Sequence, residues 1–260
     1  MSWQAPEPVV ADLEVGPVRR HAGSTVEVRL GPGLPHAAPG QFVMVDVGDG
    51  VLPHPFTVFR SHEAGGLSLL LRPGGRPVQA LLGRVRGAPV RTVGPLGRPF
   101  PHPTRAGRIL AVAEGGRVAP LYEAVRLVVG EGRAAAVLMG GDRPEHFAAL
   151  NALNALGARV ERRHGPGFPA LVEALRRAGP SDTLYVAGPE AALRHADDAV
   201  SSRAGGAPDV HLALEVAMAC GVGACFGCPV PLRAPDDPRH PYARACVDGP
   251  VFAAGVVAFT

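Results

Sequence analysis

Ile109-Leu110-Ala111-Val112-Ala113 is an unbroken apolar run, closed by Glu114-Gly115-Gly116-Arg117 and followed by Val118-Ala119-Pro120. A run of this length ending at paired glycines predicts a strand buried on both faces. The periodicity from Val118 to Val129 predicts a helix directly after it. The same alternation then repeats. Ala135 to Met139 reads as a strand and Pro144 to Leu156 as a helix. Val160 lies in a short strand and Phe168 to Arg177 in a helix. Thr183 to Ala187 is a strand, and Glu190 to Val200 a helix. Strands alternating with helices of this length imply a parallel sheet, whose ligands bind at the carboxyl ends of its strands. Gly115-Gly116 stands at one such end. By itself the pair fits an ordinary strand-to-helix turn as well as a phosphate-binding one.

Upstream of Arg108 the pattern differs. Val26, Val28 and Leu30 alternate with Glu27 and Arg29, and Phe42 to Val47 is mostly apolar. Thr57-Val58-Phe59 and Leu67 to Leu71 follow, with turn clusters such as Gly31-Pro32-Gly33 and Pro39-Gly40 between runs. Short strands at this spacing predict a small antiparallel barrel or sandwich.

The last fifty residues are turn-rich and hold every cysteine: Cys220, Cys225, Cys228 and Cys246. The spacing is C-x4-C-x2-C, with the fourth cysteine after seventeen intervening residues. It matches the plant-type [2Fe–2S] pattern, in which one tight turn delivers three thiolates and a distant segment the fourth. Gly221, Gly223 and Gly227 let that turn take positive φ and bring backbone N–H groups toward anionic sulfur. A disulfide pair and a structural zinc are the competing readings. The first conflicts with the absence of an export signal, and the second with the lack of paired short C-x2-C knuckles.

Composition narrows the function classes. Among 260 residues, 47% are apolar and 19% charged, a globular balance. The chain has no Lys, so all 26 basic residues are Arg, which excludes P-loop, Schiff-base and kinase-type lysines. The net charge of +3 is scattered, without the basic stripe that nucleic-acid binding needs. No apolar run reaches the roughly 18 residues of a membrane span. Met1 to Val10 lacks a basic region followed by an apolar one, so a cytoplasmic chain without a signal peptide is expected. G-x-S-x-G, H-E-x-x-H and EF-hand patterns are absent.

Several stretches together resemble a known family. Leu214-Glu215, Met218-Ala219 leading into Cys220 to Cys228, and Cys246-Val247-Asp248-Gly249-Pro250-Val251-Phe252 are similar to the end of the electron-transfer subunits of dihydroorotate dehydrogenase B. So are Gly94-Pro95-Leu96-Gly97 to Phe100, Ala119-Pro120-Leu121-Tyr122 and Gly188-Pro189-Glu190. These subunits are ferredoxin-reductase-like iron–sulfur flavoproteins. The resemblance implies an FAD-binding β-barrel over residues 1–100. It implies a Rossmann-like NAD-binding α/β domain over 101–208 and a small [2Fe–2S] domain over 209–260. It implies cluster ligation by the four cysteines and electron transfer between NAD(H) and an FMN-containing catalytic subunit in a two-plus-two heterotetramer of pyrimidine biosynthesis. Dihydroorotate itself would react on the partner chain. Other partners, such as a ferredoxin:NAD(P) reductase or hydrogenase assembly, use a similar cluster turn.

The resemblance also assigns cofactor residues. His54-Pro55-Phe56-Thr57 occupies the place of the family's Arg-Pro-x-Ser/Thr flavin element, and Leu70-Leu71-Arg72 the next FAD segment. Gly75 neighbours the family's Gly-Thr pair, which here reads Pro77-Val78. Gly115 and Gly116 fall on the NAD turn and Gly188-Pro189 near the nicotinamide. The family's second turn glycine is replaced by Arg117, and the cysteine before Gly188 by Ala187. Arg117 could obstruct the phosphates or attract them. The substitutions at His54, Pro77-Val78 and Arg117 also fit a cluster-bearing docking module that has lost flavin or nucleotide.

Overall fold

The computed structural model describes residues 3–48, 50, 52–203 and 206–259. Six strands, β1 (Val9–Arg20), β2 (Val26–Leu30), β3 (Phe42–Val45), β4 (His54–Ser61), β5 (Leu67–Leu71) and β6 (Pro89–Leu96), close an antiparallel barrel in the order β1-β2-β5-β4-β3-β6. Val28, Leu30, Val43, Val45, Leu69 and Val90 fill its interior. A short helix, α1 (Arg76–Leu82), lies between β5 and β6 and plugs the barrel with fully buried Leu81. β3 is buried on both faces, which is why it reads as a continuous apolar run. Val43 and Val45 face the barrel interior, whereas Phe42 and Met44 pack against the cysteine-bearing segment.

The second half alternates strictly: β7 (Ile109–Glu114), α2 (Tyr122–Gly130), β8 (Ala135–Gly141), α3 (Leu150–Ala155), β9 (Arg159–His164), α4 (Pro169–Arg177), β10 (Thr183–Ala187), α5 (Glu190–Ser201) and β11 (Asp209–Ala213). Strands β7 to β11 are parallel. Two short strands, β12 (Pro229–Pro231) and β13 (Tyr242–Arg244), form a separate ribbon before β14 (Val251–Ala253). The large sheet has the order β14-β11-β10-β7-β8-β9. One face buries Ala111, Val137, Met139 and Tyr185 against α2 and the barrel side. The other buries Leu110, Val112, Leu138, Leu184 and Val186 under α4 and α5. Each fully buried aliphatic side chain of this kind contributes roughly 2 kcal/mol.

One feature departs from the sequence reading. The helix expected from Pro144 to Leu156 is broken. Pro144–Phe147 forms a 3-10 turn, Ala149 takes φ 64, and α3 starts only at Leu150. The break buries Phe147, whose ring lies 4.6 Å from that of His164, and tertiary packing overrides the helix propensity of the alanines. Residues past 208 add strands to the same sheet. Both β11 and β14 are strands of the six-stranded sheet, so the cysteine segment is an excursion between two adjacent strands, with β14 antiparallel to β11. Trp3 packs against the α/β half, with its ring 5.3 Å from His102 and 6.0 Å from Tyr185. Among the described residues no helix is long and apolar enough to cross a membrane.

Candidate functional site

β4 and β5 pair in the barrel wall, so His54-Pro55-Phe56-Thr57 and Leu70-Leu71-Arg72 come side by side although they are distant in sequence. Together they form one wall of a cleft of about 360 Å³. Gly116, Arg117, Ala119 and Pro120 supply the opposite wall from the turn after β7, and Leu214, Glu215 and Pro250 close one end. The Arg72 guanidinium donates to the Gly115 carbonyl at 2.8 Å and ties the barrel to the turn after β7. Pro77 and Val78 also line the cleft from the first turn of α1, with apolar surface. Gly75 is not among the lining residues; with φ 65 it starts α1 instead.

A second groove, of about 510 Å³, lies at the carboxyl ends of β10 and β11. Gly188, Pro189 and Glu190 border it together with Arg117, Glu215 and the strand β12. A Cβ at position 188 would stand 3.1 Å from Ala192 Cβ and 3.2 Å from Glu114 Cβ, so a larger residue would crowd the turn into α5. Glu114 ends β7 beneath this turn and is 2% exposed. Its carboxylate accepts the Leu171 N–H at 2.8 Å, at the start of α4. Burial pushes its carboxyl above the ordinary range, against the opposing pull of the Leu171 and Ala170 N–H groups. A third cavity, of about 340 Å³, lies between the first cleft and the cysteine segment along Phe42, Pro55, Thr57 and the stretch from Leu214 to Met218.

That stretch runs directly into Cys220. The four thiols converge as two pairs. Cys228 and Cys246 are buried, with their sulfurs 3.3 Å apart. Cys220 and Cys225 adjoin each other nearer the surface, with Cys225 exposed. The N–H groups of Val222, Cys225 and Ala224 point at Cys220 and pull its thiol down to about 6. The Gly227 N–H donates to Cys225 Sγ at 3.3 Å. Cys246 is pushed up to about 12, first by burial and then by the adjacent Cys228. Gly221 has φ 73 and its Cα faces Met44 of β3. Among the described residues no three His, Cys, Asp or Glu side chains converge on a single ion. Two thiol pairs with inward-pointing N–H groups suit a two-iron cluster, with two sulfurs for each iron, better than one tetrahedral zinc.

Of the residues expected from the sequence, His54 to Thr57, Leu70 to Arg72 and Gly116 line the first cleft and Gly188 and Pro189 the second groove, whereas Gly75 and Gly115 line neither. Gly40, Thr25 and Pro250 also line the first cleft and were not legible, because each comes from a different loop or strand. Glu215 stood next to the cysteine motif, but its place at the junction of all three cavities carries no sequence signal.

A barrel, a parallel sheet and a cysteine turn set around one cleft give the chain the ferredoxin-reductase-like fold. Solved structures share it. The NADH-dependent reduced ferredoxin-NADP oxidoreductase superposes with a TM-score of 0.76 at 22% identity, covering 95% of this chain and 89% of that one. Phthalate dioxygenase reductase superposes with a TM-score of 0.66 at 16% identity, covering 94% and 95%. The sequence signature of the iron–sulfur cluster binding domain of dihydroorotate dehydrogenase B matches residues 215–258. The chain is 33% identical over 234 residues to the dihydroorotate dehydrogenase B (NAD(+)) electron transfer subunit of Bacillus cereus (strain 03BB102), covering 84% of this chain and 86% of that one. The Bacillus anthracis (strain A0248) subunit gives the same identity and coverage. The chain belongs to the family of dihydroorotate dehydrogenase B electron-transfer subunits.

Proposed function

We propose that this chain passes electrons from an FMN-containing dihydroorotate dehydrogenase catalytic subunit to NAD⁺, as a cytoplasmic member of a hetero-oligomer. Cys220, Cys225, Cys228 and Cys246 hold a [2Fe–2S] cluster. His54, Pro55, Phe56, Thr57, Leu70, Leu71 and Arg72 hold FAD, with Gly75 shaping the start of α1 behind them. Gly115, Gly116, Gly188 and Pro189 form the NAD turns. When bound, the cluster supplies single-electron transfer and the flavin the exchange between single electrons and a hydride.

The protein positions and insulates these groups. Arg72 brings positive charge to the flavin cleft and at the same time fixes the nucleotide turn through Gly115. Thr57 lines both the flavin cleft and the cavity that leads toward the cysteines. The observation that carries the reading is the stretch from Leu214 to Met218. It lines the flavin cleft at one end and delivers Cys220 at the other, so both redox sites share one short piece of backbone.

The test is the visible spectrum of the anaerobically purified chain alone, before and after NADH, followed by turnover after its FMN partner is added. Flavin bands over a broad iron–sulfur envelope, bleached by NADH, are expected, together with dihydroorotate-dependent reduction of NAD⁺ by the complex. A cluster spectrum without flavin, unresponsive to NADH, would overturn the reading in favour of a docking module.

A further inference from the structure

Arg117 follows the glycine pair at the end of β7, the central strand of the parallel part of the sheet. Its side chain leaves its own turn, and Nε donates to Glu215 Oε2 at 2.8 Å across 98 sequence positions. Both residues line the flavin cleft and the nucleotide groove, so the pair stands in the wall between the two.

The charges of the groove give this pair a role. Among the described residues, its charged lining residues are Arg117, Glu190 and Glu215. An anionic dinucleotide therefore meets two carboxylates and a single guanidinium, and that guanidinium is already engaged. The nearby Arg72 lines the flavin cleft instead and is bound to the Gly115 carbonyl. The Arg117 and Glu215 side chains are 24% and 56% exposed. An ion pair at that exposure is worth little and exchanges readily. A guanidinium presents forked donors that fit phosphate oxygens, and strand-to-helix turns at the carboxyl end of such sheets are where diphosphates bind.

We infer that Arg117 is the diphosphate-binding residue of the nucleotide groove and that Glu215 competes with the dinucleotide for it. The Arg117–Glu215 pair opens as the diphosphate binds, and a side chain does there what a close backbone approach does at a glycine. The inference rests on the reading of this groove as the NAD site.

Calorimetric titration of the FAD-loaded chain with NADH, at low and moderate salt, tests it. Arg117→Gln is expected to weaken binding about tenfold and flatten its salt dependence, the loss of one charge-assisted phosphate contact. Glu215→Gln is expected to tighten binding several-fold in the native background and to change nothing in the Arg117→Gln background. Tighter binding by Arg117→Gly would overturn the inference by making Arg117 an obstruction. An equal Glu215→Gln effect in both backgrounds, or none in either, would overturn the competition. A chain that keeps FAD but binds no NADH would overturn the nucleotide reading of the groove itself.

Discussion

Glu114 shows how one residue can be fixed by the fold at some cost. It is buried at the end of β7, where its carboxylate accepts the N–H of Leu171 at the start of α4. Its folded-state value lies above the ordinary one because burial outweighs those hydrogen bonds. The stability it confers is therefore complete below the ordinary carboxylate range and is lost as pH rises through the raised value. Glu114→Gln keeps an acceptor without the charge. It should raise Tm by a few degrees at pH 8, with the two melting curves converging toward pH 4. A Tm gap independent of pH would contradict this. Tyr185 makes a simpler case. Its hydroxyl donates to the Pro101 carbonyl at 2.7 Å within the core, so Tyr185→Phe should cost about 1 kcal/mol in denaturant unfolding. At this scale the sequence was partly legible. The four cysteines announced themselves through spacing. Arg117 stood out as an anomaly, but its partner 98 positions away was not readable, since no local pattern encodes it.

Among the elements, legibility followed burial. Thr183 to Ala187 is buried throughout, and its apolar run marks β10 without ambiguity. β1 is mostly exposed and carries Gly16 and Pro17, so it shows neither alternation nor continuity. α1 begins at Gly75-Arg76-Pro77, which reads as a loop, although proline suits a first helical turn. The break at Ala149 has no glycine to signal it; the demand to bury Phe147 sets it. The paired strands β4 and β5 brought the cleft residues together, but their register could not be read from spacing alone, and the family resemblance supplied that step. Two predictions belong here. Leu138→Ala, beneath α4, should cost roughly 2–5 kcal/mol, measured by denaturant unfolding. Gly221→Ala drives a methyl group into Met44 and strains a residue at φ 73. Iron and acid-labile sulfide content should fall in that variant and recover in part when Met44→Ala is added. Full cluster content in Gly221→Ala would show that the cysteine turn does not depend on β3 for its seat.

The whole molecule is one sheet and one barrel, with the cysteine segment held between them. β11 lies inside the sheet between β10 and β14, and it contributes Val210 and Leu212 to the core under α5. A chain ended after residue 208 should therefore fail to fold, as judged by loss of a cooperative melt, because it loses two strands and bares β10. Composition shifts toward turns past residue 208. It could not show that β14 returns to the same sheet, since a three-residue strand is too short to carry a pattern. The return has a consequence for biogenesis. Leu214 N–H donates to the Pro250 carbonyl at 3.0 Å, which pins both ends of the cysteine excursion. β14 leaves the ribosome only after all four cysteines, so the sheet is sealed last and the excursion becomes a closed loop in the same step. Strand pairing then offsets part of the entropy of closing that loop. An iron-delivery system would meet a tethered, preshaped thiol loop on an already folded protein, and late loading of metal after synthesis is the route this topology favours.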